Sequence, residues 1–258
     1  MGINSYYQGK ILGEIWGYET DRFFTEADFN ADGSLKEGIP SQALYENSWF
    51  VYGPGDIKYR DLDGDGEITY GANTVDDHGD LRVIGNTTPR YQYGIRLGAD
   101  WKGFDLRIFA QGVGKRDYWA NGPVVIPGYR YAEGWYAHQL DYWTPDNPDA
   151  FYPRPTDQSQ SNQIRNFMPQ TKYLLDMSYL RMKNITLGYS LPEDLAESLY
   201  LNKLRVYLSG ENLFEFTDLH VPIDPEIDLT PAGRNDPNTF GRVYPFQRTY
   251  SIGLQVSL

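Results

Sequence analysis

The sequence predicts an all-β protein: the C-terminal segment of a large transmembrane β-barrel, about five or six antiparallel strands joined by long extracellular loops. Three observations predict it. Apolar and polar residues alternate with period 2 through the second half of the chain. The alternating segments run about 11 to 15 residues, against ~5–6 for strands of soluble sheets and ~9–11 for tilted strands crossing a bilayer. Short and long connections alternate, as in barrels with turns at one rim and loops at the other.

The strands are expected at about residues 90–101, 103–113, 173–191, 203–216 and 244–258. In the first, Tyr91, Tyr93, Ile95, Leu97, Ala99 and Trp101 alternate with Gln92, Gly94, Arg96, Gly98 and Asp100. Lys102-Gly103 is a tight turn, and Phe104, Leu106, Ile108 and Ala110 continue the apolar face on the way back. Ile185, Leu187, Tyr189 and Leu191 alternate with Thr186, Gly188 and Ser190. Upstream, Arg181 and Lys183 break that phase, which a bulge or a solvent-exposed upper segment explains. Leu204, Val206 and Leu208 oppose Arg205, Tyr207 and Ser209. The final segment is the clearest, with Tyr250, Ile252, Leu254, Val256 and Leu258 on one face. Arg248 shares that face, at roughly 25 Å above the C-terminus for a ~3.3 Å rise and ~40° tilt, the far edge of an apolar band. Extracellular loops are expected at about 25–89, 114–171 and 217–243, with a short helix within 131–142.

Composition narrows the classes. The 258 residues carry a net charge of −12, which disfavours nucleic acid as a partner. There is no cysteine, which excludes disulfides and thiolate metal sites. The 22 Tyr and 6 Trp suit membrane interfaces and binding surfaces. No run of ~18 apolar residues forms a transmembrane helix. Residues 1–10 lack the basic-then-apolar pattern of a signal peptide.

One motif has metal-ligand spacing. Asp61-Leu62-Asp63-Gly64-Asp65-Gly66-Glu67-Ile68 places carboxylates at loop positions 1, 3 and 5, Gly at 6, a backbone carbonyl at 7 and Ile at 8. Calcium takes six to eight oxygens, and this spacing wraps one ion. Position 12 is Ala72, so Asp76, Asp77 or Asp80 is expected to complete the set of Asp61, Asp63, Asp65 and Glu67. The role would be structural; a solvated acidic turn is the alternative. Trp135, Tyr136, Tyr142 and Trp143 are candidates for contact with substrate or a partner, or for loop packing. No catalytic motif is present. A soluble calcium-dependent carbohydrate-binding β-sandwich is the alternative fold and function. A glycoside hydrolase would need a carboxylate pair at fixed separation.

Several motifs together resemble the SusC-like TonB-dependent transporters: residues 55–66, Asp76-Asp77-His78-Gly79-Asp80, Ile84-Gly85-Asn86-Thr87-Thr88-Pro89-Arg90-Tyr91, Trp143-Thr144-Pro145-Asp146-Asn147-Pro148, residues 179–189, Gly210-Glu211-Asn212-Leu213-Phe214 and Tyr244-Pro245-Phe246-Gln247-Arg248-Thr249-Tyr250. They span roughly residues 10–258. The resemblance implies a 22-stranded outer-membrane barrel around an N-terminal plug, with a SusD-like lipoprotein as lid. Such a complex imports oligosaccharide or peptide with energy delivered through TonB. The plug, the TonB-contacting part and the N-terminal strands are expected outside these residues. Barrels of this kind usually end in an aromatic residue; this chain ends in Leu258.

Overall fold

The structure is a computed structural model that describes residues 1–129, 134–156, 165–226 and 244–258. Strands β1 (Glu14–Tyr18), β2 (Thr20–Phe23), β3 (Ile57–Tyr59) and β4 (Leu81–Asn86) form two small antiparallel ribbons, β1 with β4 and β2 with β3. Strands β5 (Tyr91–Trp101) and β6 (Phe104–Gly114) form a long hairpin. β7 (Asp117–Tyr118) pairs with β8 (Leu175–Asp176). Then come β9 (Tyr179–Ser190), helix α1 (Glu193–Ser198), β10 (Lys203–Glu211), β11 (Glu215–Thr217) and β12 (Thr249–Ser257). The main sheet runs β12-β10-β9-β6-β5, entirely antiparallel, and β11 extends the pairing of β10 along β9.

The register aligns the alternation across strands. One row across the sheet is Trp101, Phe104, Tyr189, Val206 and Leu254; the next is Ala99, Leu106, Leu187, Leu208 and Ile252. These rows make one continuous apolar face. On the opposite face the rows read Gly98, Arg107, Thr186, Ser209, Ser251 and Asp100, Asp105, Gly188, Tyr207, Gly253. Ile252 is 79 % and Leu254 63 % exposed, and no described element covers them. A sandwich would bury such a face against a second sheet ~10 Å away. The sandwich alternative therefore fails on packing, and the sheet is a segment of β-barrel wall.

The same register sorts the connections. At one end Trp101 faces Phe104 and Ser190 faces Arg205, joined by residues 102–103 and 191–202. At the other end Tyr91 faces Gly114, Val113 faces Tyr179, and Glu211 faces Thr249. Every long segment emerges from that second end. The two-residue turn is possible because Lys102 and Gly103 both take positive φ, 49° and 89°, the geometry that continues strand twist. In the longer turn, α1 carries Glu193 and Asp194 in its first turn, favourable to the helix dipole. Tyr200, at φ 60°, ends it.

The principal hydrophobic core lies in the long connections. Phe24, Tyr45, Phe50, Tyr52, Ile57, Tyr59 and Ile68 from the first pack with Val124, Ile126, Tyr129 and Tyr152 from the second, and with Val221 and Ile223 from the third. Stacked and edge-on rings link Phe151, Tyr152, Phe167 and Tyr173. The loops are thus a folded body with its own buried centre at one end of the sheet.

Several boundaries differ from the sequence reading. Residues 25–89 carry β3 and β4 as well as loop. The segment 173–191 divides into β8 and β9, and 203–216 into β10 and β11, with Asn212 at φ 52° in the break. Strand β12 begins at Thr249, so residues 244–248, Arg248 included, lie beyond it at the loop end. Of the helix expected within 131–142, the described part is a single 3-10 turn, Ala137–Gln139; residues 131–133 lie outside the described residues. The phase break at Arg181 and Lys183 is a bulge: Phe109 faces Asn184 while Ala110 faces Met182, leaving Lys183 as the extra residue. Arg181, opposite Gln111, is thereby turned to the polar face.

Candidate functional site

The acidic loop is a tight turn in which its own carboxylates accept backbone N–H groups. Asp61 accepts the N–H groups of Gly64 (2.6 Å) and Gly66 (2.9 Å), Asp63 that of Asp65 (3.1 Å), and Asp65 that of Glu67 (2.8 Å). Gly64 and Gly66 sit at φ 80° and 88°, where a side chain is strained. Asp61, Asp63 and Asp65 each bring a carboxylate oxygen within 4.8 Å of the others. Glu67, Asp76 and Asp77 are outside that group. Ile68 anchors the loop in the core, and Ser41 bonds both sides of it, to Gly66 O (2.9 Å) and from Ile68 N (2.8 Å).

Asp80 is the brace of this loop. It is fully buried, and its two oxygens accept the N–H of Leu62 (2.6 Å) and of Thr69 (2.7 Å), before and after the acidic turn. Burial raises its carboxyl above the usual value, against the lowering by those two bonds. A cation among Asp61, Asp63 and Asp65 fits a donor set of hard oxygens held by backbone N–H groups.

A second buried carboxylate ties the loops together. Asp56 accepts from Arg154 Nη2 (2.6 Å), Asn166 Nδ2 (2.8 Å) and Gly53 N (2.9 Å). Burial raises its pKa, and the Arg154 guanidinium opposes that shift. Next to it Gly55, at φ 88°, lies under the Trp143 ring; a Cβ there would come within 2.3 Å of Trp143 Cε3. Trp143, Tyr136 and Tyr142 pack against the core, and Trp135 meets Tyr142 edge-on at 5.6 Å. All four remain part-exposed.

Sequence reasoning missed a third cluster. Arg181, 3 % exposed, donates to Asp224 (2.7 Å) and Glu226 (2.6 Å) and also contacts Glu215. Lys183 pairs with Glu226, and both cations stand over the Phe246 ring, at 4.9 and 4.6 Å. The only sequence signal was the pair of cations that broke the apolar phase.

A barrel-wall sheet with an apolar outer face, a polar inner face and a folded loop body at one end defines the class: a segment of a β-barrel. The comparisons bear out the resemblance to SusC-like TonB-dependent transporters. The chain is similar to TonB-dependent receptor P3 of Formosa agariphila, 29 % identical over 255 residues, 96 % of this chain and 22 % of the relative. It is similar to TonB-dependent receptor P26 of the same organism, 28 % identical over 79 % of this chain and 20 % of the relative. Its fold resembles the RagAB peptide importer in the "open-open" state, with TM-score 0.56, 22 % identity, and coverage of 95 % of this chain and 22 % of that one. The "closed-closed" state gives TM-score 0.54 at 22 % identity, covering 94 % of this chain and 23 % of that one. No protein-family model matches the chain. The chain spans about a fifth of the length of the curated relatives it matches.

Proposed function

We propose that these residues form the C-terminal wall and extracellular loop body of a TonB-dependent importer in the outer membrane. The observation that carries this reading is the register of the main sheet. It puts a lipid-compatible face on one side and gathers every long connection at one rim. The names of the similar receptors support it. So does the fold shared with a peptide importer.

In this reading the protein is a transporter and not an enzyme. Its outer face contacts outer-membrane lipid, and TonB acts through a part outside this chain. A SusD-like lipoprotein covers the loop rim, and the imported solute is an oligosaccharide or a peptide. Trp135, Tyr136, Tyr142 and Trp143, each part-exposed in the loop body, would contact solute or lipoprotein. Calcium at Asp61, Asp63 and Asp65 would stiffen the loop that Asp80 braces.

The test is on the full-length protein in cells. It should fractionate with the outer membrane, migrate anomalously on gels unless heated, and take up solute only when TonB is present. A soluble cytosolic protein, or uptake that persists without TonB, refutes the reading.

A further inference from the structure

We infer that the inner wall of the β5–β6 hairpin, just below the loop body, is a binding site for an anionic group of the transported solute. This rests on the transport reading above. Residues 90–98 and 107–116 contain Arg90, Arg96, Arg107, Lys115 and Arg116 and no acidic residue, in a chain of net charge −12. Arg107 is neutralised by Asp100, at 2.8 and 3.0 Å. Among the described residues no carboxylate forms an ion pair with the other four.

One of these cations, Arg116, lines a cavity, and Arg96 lies against Phe109 of its wall. A concavity of about 580 Å³ is lined by Gln92, Phe109, Gln111, Arg116, Tyr179 and Glu226, among others. Gln92, Phe109 and Gln111 lie on the polar, inward face of the sheet. Arg116 donates only its Nε, to Thr87 O at 3.3 Å, which leaves both terminal nitrogens without a partner among the described residues. The neighbouring Asp117 is engaged by Asn86 N–H at 2.9 Å. Arg96 lies over the Phe109 ring at 5.1 Å. Arg90 N–H bonds Lys115 O at 3.1 Å, so both flank the rim together. Glu226 is the one acid in the lining, and Arg181 and Lys183 already hold it.

A guanidinium with free terminal N–H groups selects an oxyanion. Amides beside it offer donors and acceptors to hydroxyl or peptide groups, and Phe109 offers a flat apolar surface. Unneutralised cations on a channel wall also raise the local concentration of anions. The shared chemistry is a carboxylate next to a flat face, and it has two sources: a uronic-acid sugar or a peptide C-terminus.

The experiment is calorimetric binding to the purified full-length transporter with its partner. One arm compares an oligogalacturonate with a neutral maltooligosaccharide of equal length. The other compares a tetrapeptide having a free C-terminus with the amidated form. At least one charged probe should bind more tightly than its neutral counterpart. Arg116→Gln and Arg96→Gln should each weaken that charged probe about tenfold and leave the neutral one unchanged, while Arg116→Lys retains part of the preference. Charge-blind binding, no binding of either charged probe, or unchanged affinity in both glutamine variants overturns the inference. TonB-dependent uptake by the wild type, measured alongside, separates that outcome from failure of the transport reading.

Discussion

Arg205 on β10 and Asp105 on β6 hold a two-bond ion pair, Nε to Oδ1 at 2.7 Å and Nη2 to Oδ2 at 2.6 Å, across β9, the strand between them. The crossing point is Gly188. A Cβ there would lie 2.4 Å from both Arg205 Nη2 and Asp105 Oδ1. The glycine is the gap through which two non-adjacent strands are clamped. Gly188→Val should separate the pair and destabilise the barrel by about 1–3 kcal/mol, the usual cost of overpacking. Asp105→Asn should cost about 1 kcal/mol. Thermal unfolding of the full-length protein in detergent checks both, and a valine variant as stable as wild type would refute the steric argument.

Gly55 and Trp143 make a tighter case in the loop body. Ala at position 55 must adopt φ 88° and displace the Trp143 ring. Left-handed backbone alone costs about 1–2 kcal/mol. Gly55→Ala should therefore loosen residues 141–154, read as faster amide exchange there, with the barrel strands unchanged.

Asp28 sets an acid limit on the loop body. Arg22 and the Thr25 N–H hold its carboxyl well below the usual carboxylate range. At pH values where the unfolded chain has taken up that proton, the folded one has not. The stabilisation is complete above about pH 3.8 and is lost as pH falls through the depressed folded value. Asp28→Asn should lower stability at pH 7 and flatten the decline of stability on acidification below about pH 4. An unchanged acid limb would contradict this role.

The acidic loop predicts metal dependence. Calcium titrated into wild type by calorimetry should give heat, and Asp63→Ala should give none. Equal curves would exclude the site. In the wild type, calcium should also slow amide exchange at Gly64 and Gly66, whose N–H groups rest on Asp61.

Arg181 fastens the third loop to the wall. Arg181→Met leaves Asp224 and Glu226 without their guanidinium, and an uncompensated buried charge typically costs about 3–5 kcal/mol. The variant should become more sensitive to protease between Thr217 and Glu226, with barrel assembly retained. Wild-type resistance would show that the ion pairs are dispensable.

The sequence by itself determined the strands of the wall. Alternation such as Ile252, Leu254 and Val256 against Ser251, Gly253 and Gln255 is a local, period-2 property, and each strand carries it without its neighbours. The acidic turn was equally legible, because Asp61, Asp63 and Asp65 lie within one loop. The tertiary structure decided whatever joins distant segments. That Asp80 closes the acidic loop at Leu62 and Thr69, that Asp56 meets Arg154 and Asn166, and that a bulge at Lys183 turns Arg181 inward all depend on backbone paths. The same holds for Gly188, which reads as a small inward residue until Arg205 and Asp105 are seen to cross it. Periodicity records which face a residue takes on its own strand. Only the register of one strand on another decides which residues meet, and that is set by packing over the whole sheet.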